Sequence, residues 1–367
     1  MDRHTIQYRY YEFKEIAQKH WREILESSEE SWLETFSQVK GYTRRSEPTY
    51  VGAYLYYGLK YLNRQLAGSS FGKDLSKNGF QLKLGGIFVH QNPIVELDPN
   101  HQSVKSLRRN RCEIGDLLVV FTFVDNNNTP LIARAFLSQA KLNGEPVKDA
   151  QYVLYEKDIG FRFFKPREDN IKGKPCVIAL NNSNYPRRFP SRTPRSKGLK
   201  YLRIYPDREI TGLECLNSDK SYCCYESPFC CFPCWCYECC CYEYSFGCSI
   251  YGMMVSSDGW EFSTNPPTSS VCGWDRIIHD LLNDTAHRVS TLGGVKKKSK
   301  LQRGFYLDYL VSQFNRFDNI KEHFIGLNPL DPEPPENEYP EEHVGINTLL
   351  IMVKDTEMEM ESEVPEY

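Results

Sequence analysis

The amino-acid sequence predicts an α/β protein in which a mixed sheet is flanked by helices. Apolar residues recur at helical spacing over most of the first 66 residues, and a strand-like, β-branched run extends from residue 80 to 141. Helical patterns return at 274–290 and 302–324. Because the chain has 367 residues, we expect two or three domains and a sizeable core.

The N-terminal region, residues 1–72, is expected to be helical. One helix is predicted from residue 5 to 38, where Trp21 and other apolar residues recur near the helical period. A second is predicted from residue 50 to 66, and the Gly and Ser residues of 67–72 end it.

Strands are predicted next, and two of them form a hairpin. Leu117–Val124 is an uninterrupted apolar run, and residues 131–141 follow it after the turn-forming sequence DNNNTP. Antiparallel pairing about that turn places Asp116 opposite Gln139, and opposed residues share a face of the sheet. Lys141 is two residues beyond Gln139, so it lies on that face as well. The sequence therefore predicts three polar side chains at one end of an apolar hairpin.

This set of side chains suits phosphodiester hydrolysis. Magnesium prefers hard oxygen ligands, which the Asp116 carboxylate and the Gln139 side-chain carbonyl supply. A bound Mg²⁺ or Mn²⁺ polarises a phosphoryl oxygen and acidifies a water, and the Lys141 cation stabilises developing negative charge. The competing interpretation is an ordinary hairpin whose polar ends are solvated.

The order of these residues resembles the PD-(D/E)XK nuclease superfamily, in which an acid on one strand precedes an acid-x-lysine on the next. Asp116 and the Q-A-K sequence that ends at Lys141 match that order, although Gln139 stands where the superfamily usually has an acid. The sequence QYVLY follows, with Gln151 and Tyr155 one helical turn apart. It is similar to the Q-x-x-x-Y motif of the RecB-like branch, which supports the site in those proteins.

The resemblance implies a restriction-endonuclease-like core within residues 80–210. It further implies a metal-dependent nuclease that hydrolyses DNA, with Mg²⁺ or Mn²⁺ as cofactor and a role in DNA repair or phage defence. Glu113 is a further candidate beside the metal, and His90 is a further supporting candidate. The superfamily also has an earlier helical acid, for which three residues stay open: Glu12, Glu15 and Glu23. Because Gln139 is not an acid, the alternative is a catalytically inactive nucleic-acid-binding or assembly protein with a nuclease-like fold.

Charge is segregated along the chain. Residues 162–208 hold thirteen Lys or Arg against three acids, so we expect phosphate contacts and base stacking there, with a solvated loop as the alternative. From residue 331 to the end, twelve acids accompany one lysine, which predicts an acidic, proline-rich tail at 328–367. Within that tail, VGINTLLIMV predicts an edge strand or docking segment. The candidate nucleic-acid-binding residues are Arg187, Arg188, Arg192, Arg195 and Lys197.

Ten of the fourteen cysteines lie between residues 222 and 248, inside a predicted cysteine-rich insertion at 211–327. Their spacing includes two Cys-x2-Cys pairs, which suit tetrahedral zinc. Ordinary zinc ribbons separate such pairs by about 15–20 residues, but here Trp235 alone intervenes. Structural zinc, an iron–sulfur centre and buried free cysteine all stay open, and so does an interaction protein organised by zinc. The four candidate ligands are Cys231, Cys234, Cys236 and Cys239.

The chain has neither a secretory-type start nor a membrane-length apolar run. Its first dozen residues include Asp2, Arg3, Arg9 and Glu12, and its longest apolar run has eight residues, against roughly 20 for a membrane-spanning helix. We therefore expect a cytoplasmic protein with DNA as its partner and no membrane contact. A protein partner or an oligomer stays open.

Overall fold

The fold was analysed in a computed structural model of the chain. Its described residues are 3–42, 45–89, 93–143, 149–164, 185, 187–191, 195–214, 243–265, 273–292, 306–315, 323–326 and 345–358. Several residues singled out in the sequence lie outside them: His90, Arg192, Cys231, Cys234, Cys236 and Cys239.

The predicted α/β class, with a mixed sheet flanked by helices, is confirmed. The pattern from residue 5 to 38 is two helices that meet at His20, and the second pattern is interrupted by a π-helical turn, Tyr54–Gly58. The helices are α1 (Arg3–Lys19), α2 (Trp21–Val39), α3 (Glu47–Ala53), α4 (Leu59–Gly68), α5 (Ser70–Lys77), α6 (Gln102–Lys105), α7 (Ala150–Glu156), α8 (Phe246–Val255), α9 (Trp274–Leu292) and α10 (Tyr306–Asn315).

The strands form a large mixed sheet and a small antiparallel one. They are β1 (Phe80–Ile87), β2 (Ile94–Leu97), β3 (Arg111–Glu113), β4 (Leu117–Val124), β5 (Pro130–Leu142), β6 (Gly160–Phe163), β7 (Arg187–Arg188), β8 (Leu199–Tyr205), β9 (Ile210–Glu214), β10 (Glu243–Tyr244), β11 (Trp260–Glu261), β12 (Phe324–Ile325) and β13 (Thr348–Asp355). Among described residues the large sheet has the order β10-β9-β8-β5-β4-β13-β1-β12, and β11 also pairs with β5. The small sheet has the order β3-β2-β6-β7.

The predicted hairpin and its register are confirmed. Leu117 pairs with Ser138, which is the register that pairing about the turn requires. This register continues to Phe123 and shifts between Phe123 and Val124, next to the turn. Asn128 has a φ of 67°, so the turn uses an asparagine in the left-handed region, which asparagine tolerates better than most residues. Every residue of β4 is buried, which explains why its sequence is continuously apolar and does not alternate between apolar and polar residues.

The prediction of an edge strand near the C-terminus was wrong. Strand β13 lies in the middle of the large sheet, parallel to β4 and antiparallel to β1. Residues 345–358 therefore belong to the core and not to a tail, and a deletion of 328–367 would remove a central strand. Likewise, the helix predicted through residue 324 is described only as α10, and residues 324–325 form β12.

The large sheet separates two cores. On one face, alternate residues of β4 and β5 pack against α1 to α5 and α8. On the other face, Leu118, Val120 and Leu137 pack with α7, α9, α10 and one face of the small sheet. Strands β5 and β8 are parallel, and α7 and the small-sheet strands β6 and β7 lie between them in sequence. This second face is the one to which the predicted polar residues belong.

Candidate functional site

The candidate site lies where β4 begins and β5 ends, on the second face of the sheet. The Asp116 backbone N–H donates to the Ser138 carbonyl at 2.8 Å, which continues the hairpin register beyond Leu117. Gln139 and Lys141 alternate along β5 with Ala140, which faces the other core. The structure therefore brings Asp116, Gln139 and Lys141 to one end of the hairpin.

Asp116 is buried, and three further hydrogen bonds hold it. Its Oδ2 accepts a hydrogen bond from the Ala140 backbone N–H at 2.8 Å, and its carbonyl accepts one from Asn347 Nδ2 at 2.9 Å. Its carboxyl also shares a side-chain hydrogen bond with Glu113. Burial, followed by the charge of Glu113, raises the pKa of Asp116 to about 7, against an ordinary value near 4. Two neighbouring carboxyls that share a hydrogen bond form a site where a cation can replace the proton.

Gln139 is completely buried and only partly satisfied. Its Nε2 donates to the Glu113 carbonyl at 3.1 Å, and its Oε1 has no hydrogen-bond partner among the described residues. A buried amide oxygen without a partner is costly, and a bound cation would satisfy it. The Glu113 and Asp116 carboxyls and this orphaned oxygen are the hard donors that Mg²⁺ or Mn²⁺ prefers, so the residues fit such an ion.

Helix α7 contacts β3 and holds Lys141. Asp149 caps the helix by accepting hydrogen bonds from its first backbone N–H groups, as N-cap aspartates do. Gln151, in the first turn, accepts a hydrogen bond from Lys141 Nζ at 2.8 Å. Tyr155, one turn later, donates to the Ile114 carbonyl at 3.0 Å. Both side chains of the Q-x-x-x-Y sequence thus contact the segment that carries the candidate residues.

A glycine permits this close approach. A Cβ on Gly115 would lie 3.2 Å from Tyr155 Oη, tighter than most contacts between real atoms. The Tyr155 ring also packs against Tyr201 and Phe189, with ring centroids 5.7 and 6.1 Å away. The tyrosine therefore ties the start of β4 to β8 as well as to its own helix.

Two residues near the site had no signal in the sequence. Asn347 joins the start of β13 to the site: its Oδ1 accepts from the Val89 N–H while its Nδ2 donates to Asp116. Arg203 pairs with Lys141 in the parallel β5–β8 register and is buried, so a second cation lies beside the first. Asn347 could not be found by spacing, because it lies 231 residues from Asp116 along the chain. Arg203 could not be found in this way either, because only the pairing of β5 with β8 brings it beside Lys141.

The earlier helical acids lie elsewhere. Glu12 pairs with Arg9 at 2.8 Å, and Glu23 accepts from the Phe71 backbone N–H at 3.0 Å. Helices α1 and α2, which carry them and Glu15, pack on the first face of the sheet, opposite the candidate site. His90 lies outside the described residues.

Two of the five candidate nucleic-acid-binding residues, Arg187 and Arg195, are buried. Arg187 is 3% exposed and forms a salt bridge with Asp280 at 2.8 Å, and Arg195 is 8% exposed. Arg188 is partly exposed and lies 3.3 Å from Asp158. Lys197 is half-buried, and Arg192 lies outside the described residues. The Arg187–Asp280 pair joins β7 to α9 in the second core, and a charge in the interior needs such a partner.

No group of three or more His, Cys, Asp or Glu side chains in the described part of the chain is arranged to hold a metal, and the candidate site contributes two carboxyls and one amide. None of the described helices has both the length and the apolar character needed to cross a membrane. No family model, curated protein or solved structure matches the chain.

Proposed function

We propose that the protein is a metal-dependent nuclease that hydrolyses DNA phosphodiester bonds, with a role in DNA repair or phage defence. One observation carries the proposal: Asp116, the unpartnered Gln139 oxygen and the Lys141 cation converge at one end of the hairpin under α7. The resemblance to PD-(D/E)XK nucleases implies such an arrangement, here with Gln139 in place of the usual acid.

The metal-binding residues in this proposal are Asp116, Gln139 and Glu113. They offer carboxylate and amide oxygens, with Asp116 fixed by the Ala140 N–H and Gln139 fixed by the Glu113 carbonyl. When bound, Mg²⁺ or Mn²⁺ supplies a Lewis acid for the phosphoryl oxygen and an acidified water.

Lys141 stabilises the negative charge that develops on the phosphate. Its Nζ is held by an uncharged acceptor, Gln151 Oε1, so its charge is not neutralised by that contact. A cation of this kind, held in place before the reaction, lowers the barrier without needing to reorganise. Tyr155 positions the loop before β4 through its hydrogen bond to Ile114 and is a positioning residue.

A cleavage assay tests the proposal. The purified chain is incubated with fluorescent single-stranded and duplex DNA in Mg²⁺, Mn²⁺ or EDTA, beside Lys141→Ala. We expect metal-dependent cleavage that falls at least about 100-fold in the variant, the cost of removing one charge-stabilising group.

Lys157→Ala is the matched control. Lys157 lies just after α7 and is exposed, so its removal should leave the rate unchanged. If the cleavage rate falls equally in both variants, the effect comes from the loss of one positive charge anywhere on the protein and not from the candidate site. Wild-type chain that leaves both DNA forms intact with either metal would refute the nuclease proposal.

A nucleic-acid-binding protein without activity is the second candidate, and Gln139 favours it. An amide is a weaker cation ligand than the carboxylate usual at this position, which lowers the charge offered to a metal. This candidate predicts DNA binding without cleavage. It also predicts that Gln139→Glu creates metal-dependent cleavage where the wild type has none.

A further inference from the structure

We infer that the outer face of the small sheet is a surface for the phosphate backbone of a nucleic acid, and that it leads to the candidate site. The inference deepens the proposed nuclease function and rests on it. The surface, here called the small-sheet surface, consists of Arg111 and Arg162 on the sheet and of three residues in the segment that leads into β3: Lys105, Arg108 and Arg109.

The segment that leads into β3 is rich in positive charge and contains no acid of its own. Residues 101–111 contain four Lys or Arg and no Asp or Glu. Lys105, Arg108, Arg109 and Arg111 are all exposed. Among the described residues, Arg108 and Arg109 have no ion-pair partner, so their charge is directed to solvent. Guanidinium groups bind phosphate oxygens in bidentate fashion, which favours this choice of residue for a phosphate backbone.

On the sheet itself, one acid serves two arginines. Glu96 Oε2 lies 2.7 Å from Arg162 and Glu96 Oε1 lies 3.7 Å from Arg111. The Glu96 side chain is 11% exposed, whereas those of Arg111 and Arg162 are 48% and 44% exposed. The acid is thus beneath the surface and both cations reach solvent, so the face keeps an excess of positive charge.

Aromatic rings lie under the same two arginines. The Arg111 guanidinium is 3.5 Å from the centroid of the Phe164 ring, and that of Arg162 is 5.4 Å from the Tyr185 ring. An aromatic ring attracts a guanidinium group that lies over it and restricts its motion, which favours contact between that group and a phosphate. Basic residues interleaved with rings are also typical of surfaces that bind nucleic acid strands.

The small-sheet surface is continuous with the candidate site. Arg111 and Glu113 lie two residues apart on β3, so their side chains project from the same face about 7 Å apart. Glu113 shares a hydrogen bond with Asp116 and accepts one from Gln139 through its carbonyl. Helix α7, which holds Lys141, contacts both β3 and α6. A strand bound along Arg108 and Arg111 therefore arrives beside the candidate metal ligands.

Charge reversal tests the inference in the full-length chain. Fluorescein-labelled single-stranded and duplex DNA are titrated with wild type and with Arg108→Glu/Arg109→Glu in EDTA, where cleavage does not interfere, at several salt concentrations. We expect the variant to bind at least about 10-fold more weakly near 0.1 M salt. On duplex DNA, the slope of log K against log salt should fall by about 0.9 for each phosphate that the variant no longer neutralises.

Lys73→Glu/Lys77→Glu is the matched control, with the same charge change on exposed residues of α5. Helix α5 packs on the first face of the large sheet, away from the small-sheet surface. The control should bind as wild type does. Affinity of Arg108→Glu/Arg109→Glu within twofold of wild type, equal weakening in the control, or wild type that binds anionic vesicles but not DNA would each overturn the inference.

Lys141→Ala separates this inference from the nuclease proposal. It should lose cleavage, while its DNA affinity should stay within about threefold of wild type because the small-sheet surface is intact. Binding that depends on Arg108 and Arg109 in a chain that never cleaves would refute the nuclease proposal alone. Cleavage that depends on Lys141 but is unaffected by the double charge reversal would refute the small-sheet surface alone.

Discussion

Two lysines on opposite faces of the large sheet show how differently this fold uses a buried cation. Lys200 on β8 is 1% exposed, and its Nζ lies 2.9 Å from Asp258 Oδ1. Lys141 on β5 is half-buried, and its Nζ donates to the uncharged Gln151 oxygen. The first lysine forms a salt bridge with a carboxylate, whereas the second donates a hydrogen bond to an amide.

The difference distinguishes a structural cation from one that can serve a ligand. A buried ion pair whose partner is removed leaves a lone charge in the interior, so Lys200 and Asp258 depend on each other. A cation held by an amide keeps its charge for an incoming anion and contributes little to folding. We therefore expect Lys200 to govern stability and Lys141 to govern activity.

The largest effect on stability is expected from Lys200→Ala. Removal of the ammonium leaves Asp258 buried and without its cation, which costs about 3–5 kcal/mol. Urea unfolding followed by circular dichroism measures the change, with Lys141→Ala and Lys157→Ala as controls that should each stay within about 1 kcal/mol of wild type. Equal destabilisation by the Lys200 and Lys141 variants would remove the distinction.

A smaller effect, opposite in sign, is expected from Asp116→Asn without metal. Because burial and Glu113 raise the pKa of Asp116 to about 7, the folded chain binds a proton that the unfolded chain releases. That contribution is full below about pH 4, is lost as pH rises towards 7, and stays lost above it. The asparagine variant has no such proton, so it should be more stable at pH 8 by on the order of 1–3 kcal/mol.

Unfolding curves in EDTA from pH 4 to 8 measure this effect. The gap between Asp116→Asn and wild type should close as pH falls. Asp158→Asn is the control, since Asp158 is an exposed surface residue that pairs with Arg188. A gap that stays constant over the whole range would contradict the raised pKa of Asp116.

The smallest effect is expected from Tyr155→Phe. The ring and its contacts with Tyr201 and Phe189 remain, but the Ile114 carbonyl loses its donor, which costs about 1 kcal/mol. If Tyr155 is a positioning residue, the variant should also lower the cleavage rate without changing DNA affinity. A variant that loses stability but keeps the wild-type rate would reduce Tyr155 to a core residue.

The parts of the fold that local patterns encode could be predicted from the sequence. The hairpin register followed from an asparagine-rich turn between two apolar runs, and it placed Asp116, Gln139 and Lys141 at one end. Gln151 and Tyr155, whose spacing is one helical turn, lie on a helix that begins at an aspartate cap. In each case the residues that define the element are close together in the chain.

What could not be predicted depends on contacts between distant segments. Strand β13 follows an acidic, proline-rich stretch, yet it lies between β4 and β1 and brings Asn347 to Asp116. Arg187 lies in a basic segment that reads as a surface, and its burial depends on Asp280, 93 residues later. The residue types within a short stretch of sequence do not indicate which distant residue will form an ion pair with a charged side chain in that stretch.

The most direct test of the proposed role of Lys141 is the cleavage rate of Lys141→Ala relative to wild type, measured on protein whose stability is known. We predict metal-dependent DNA cleavage by the wild type. We also predict a loss of at least about 100-fold in Lys141→Ala at nearly unchanged stability. Cleavage by Lys141→Ala at the wild-type rate would contradict this role, because the cation at the end of the hairpin would then have no part in the chemistry.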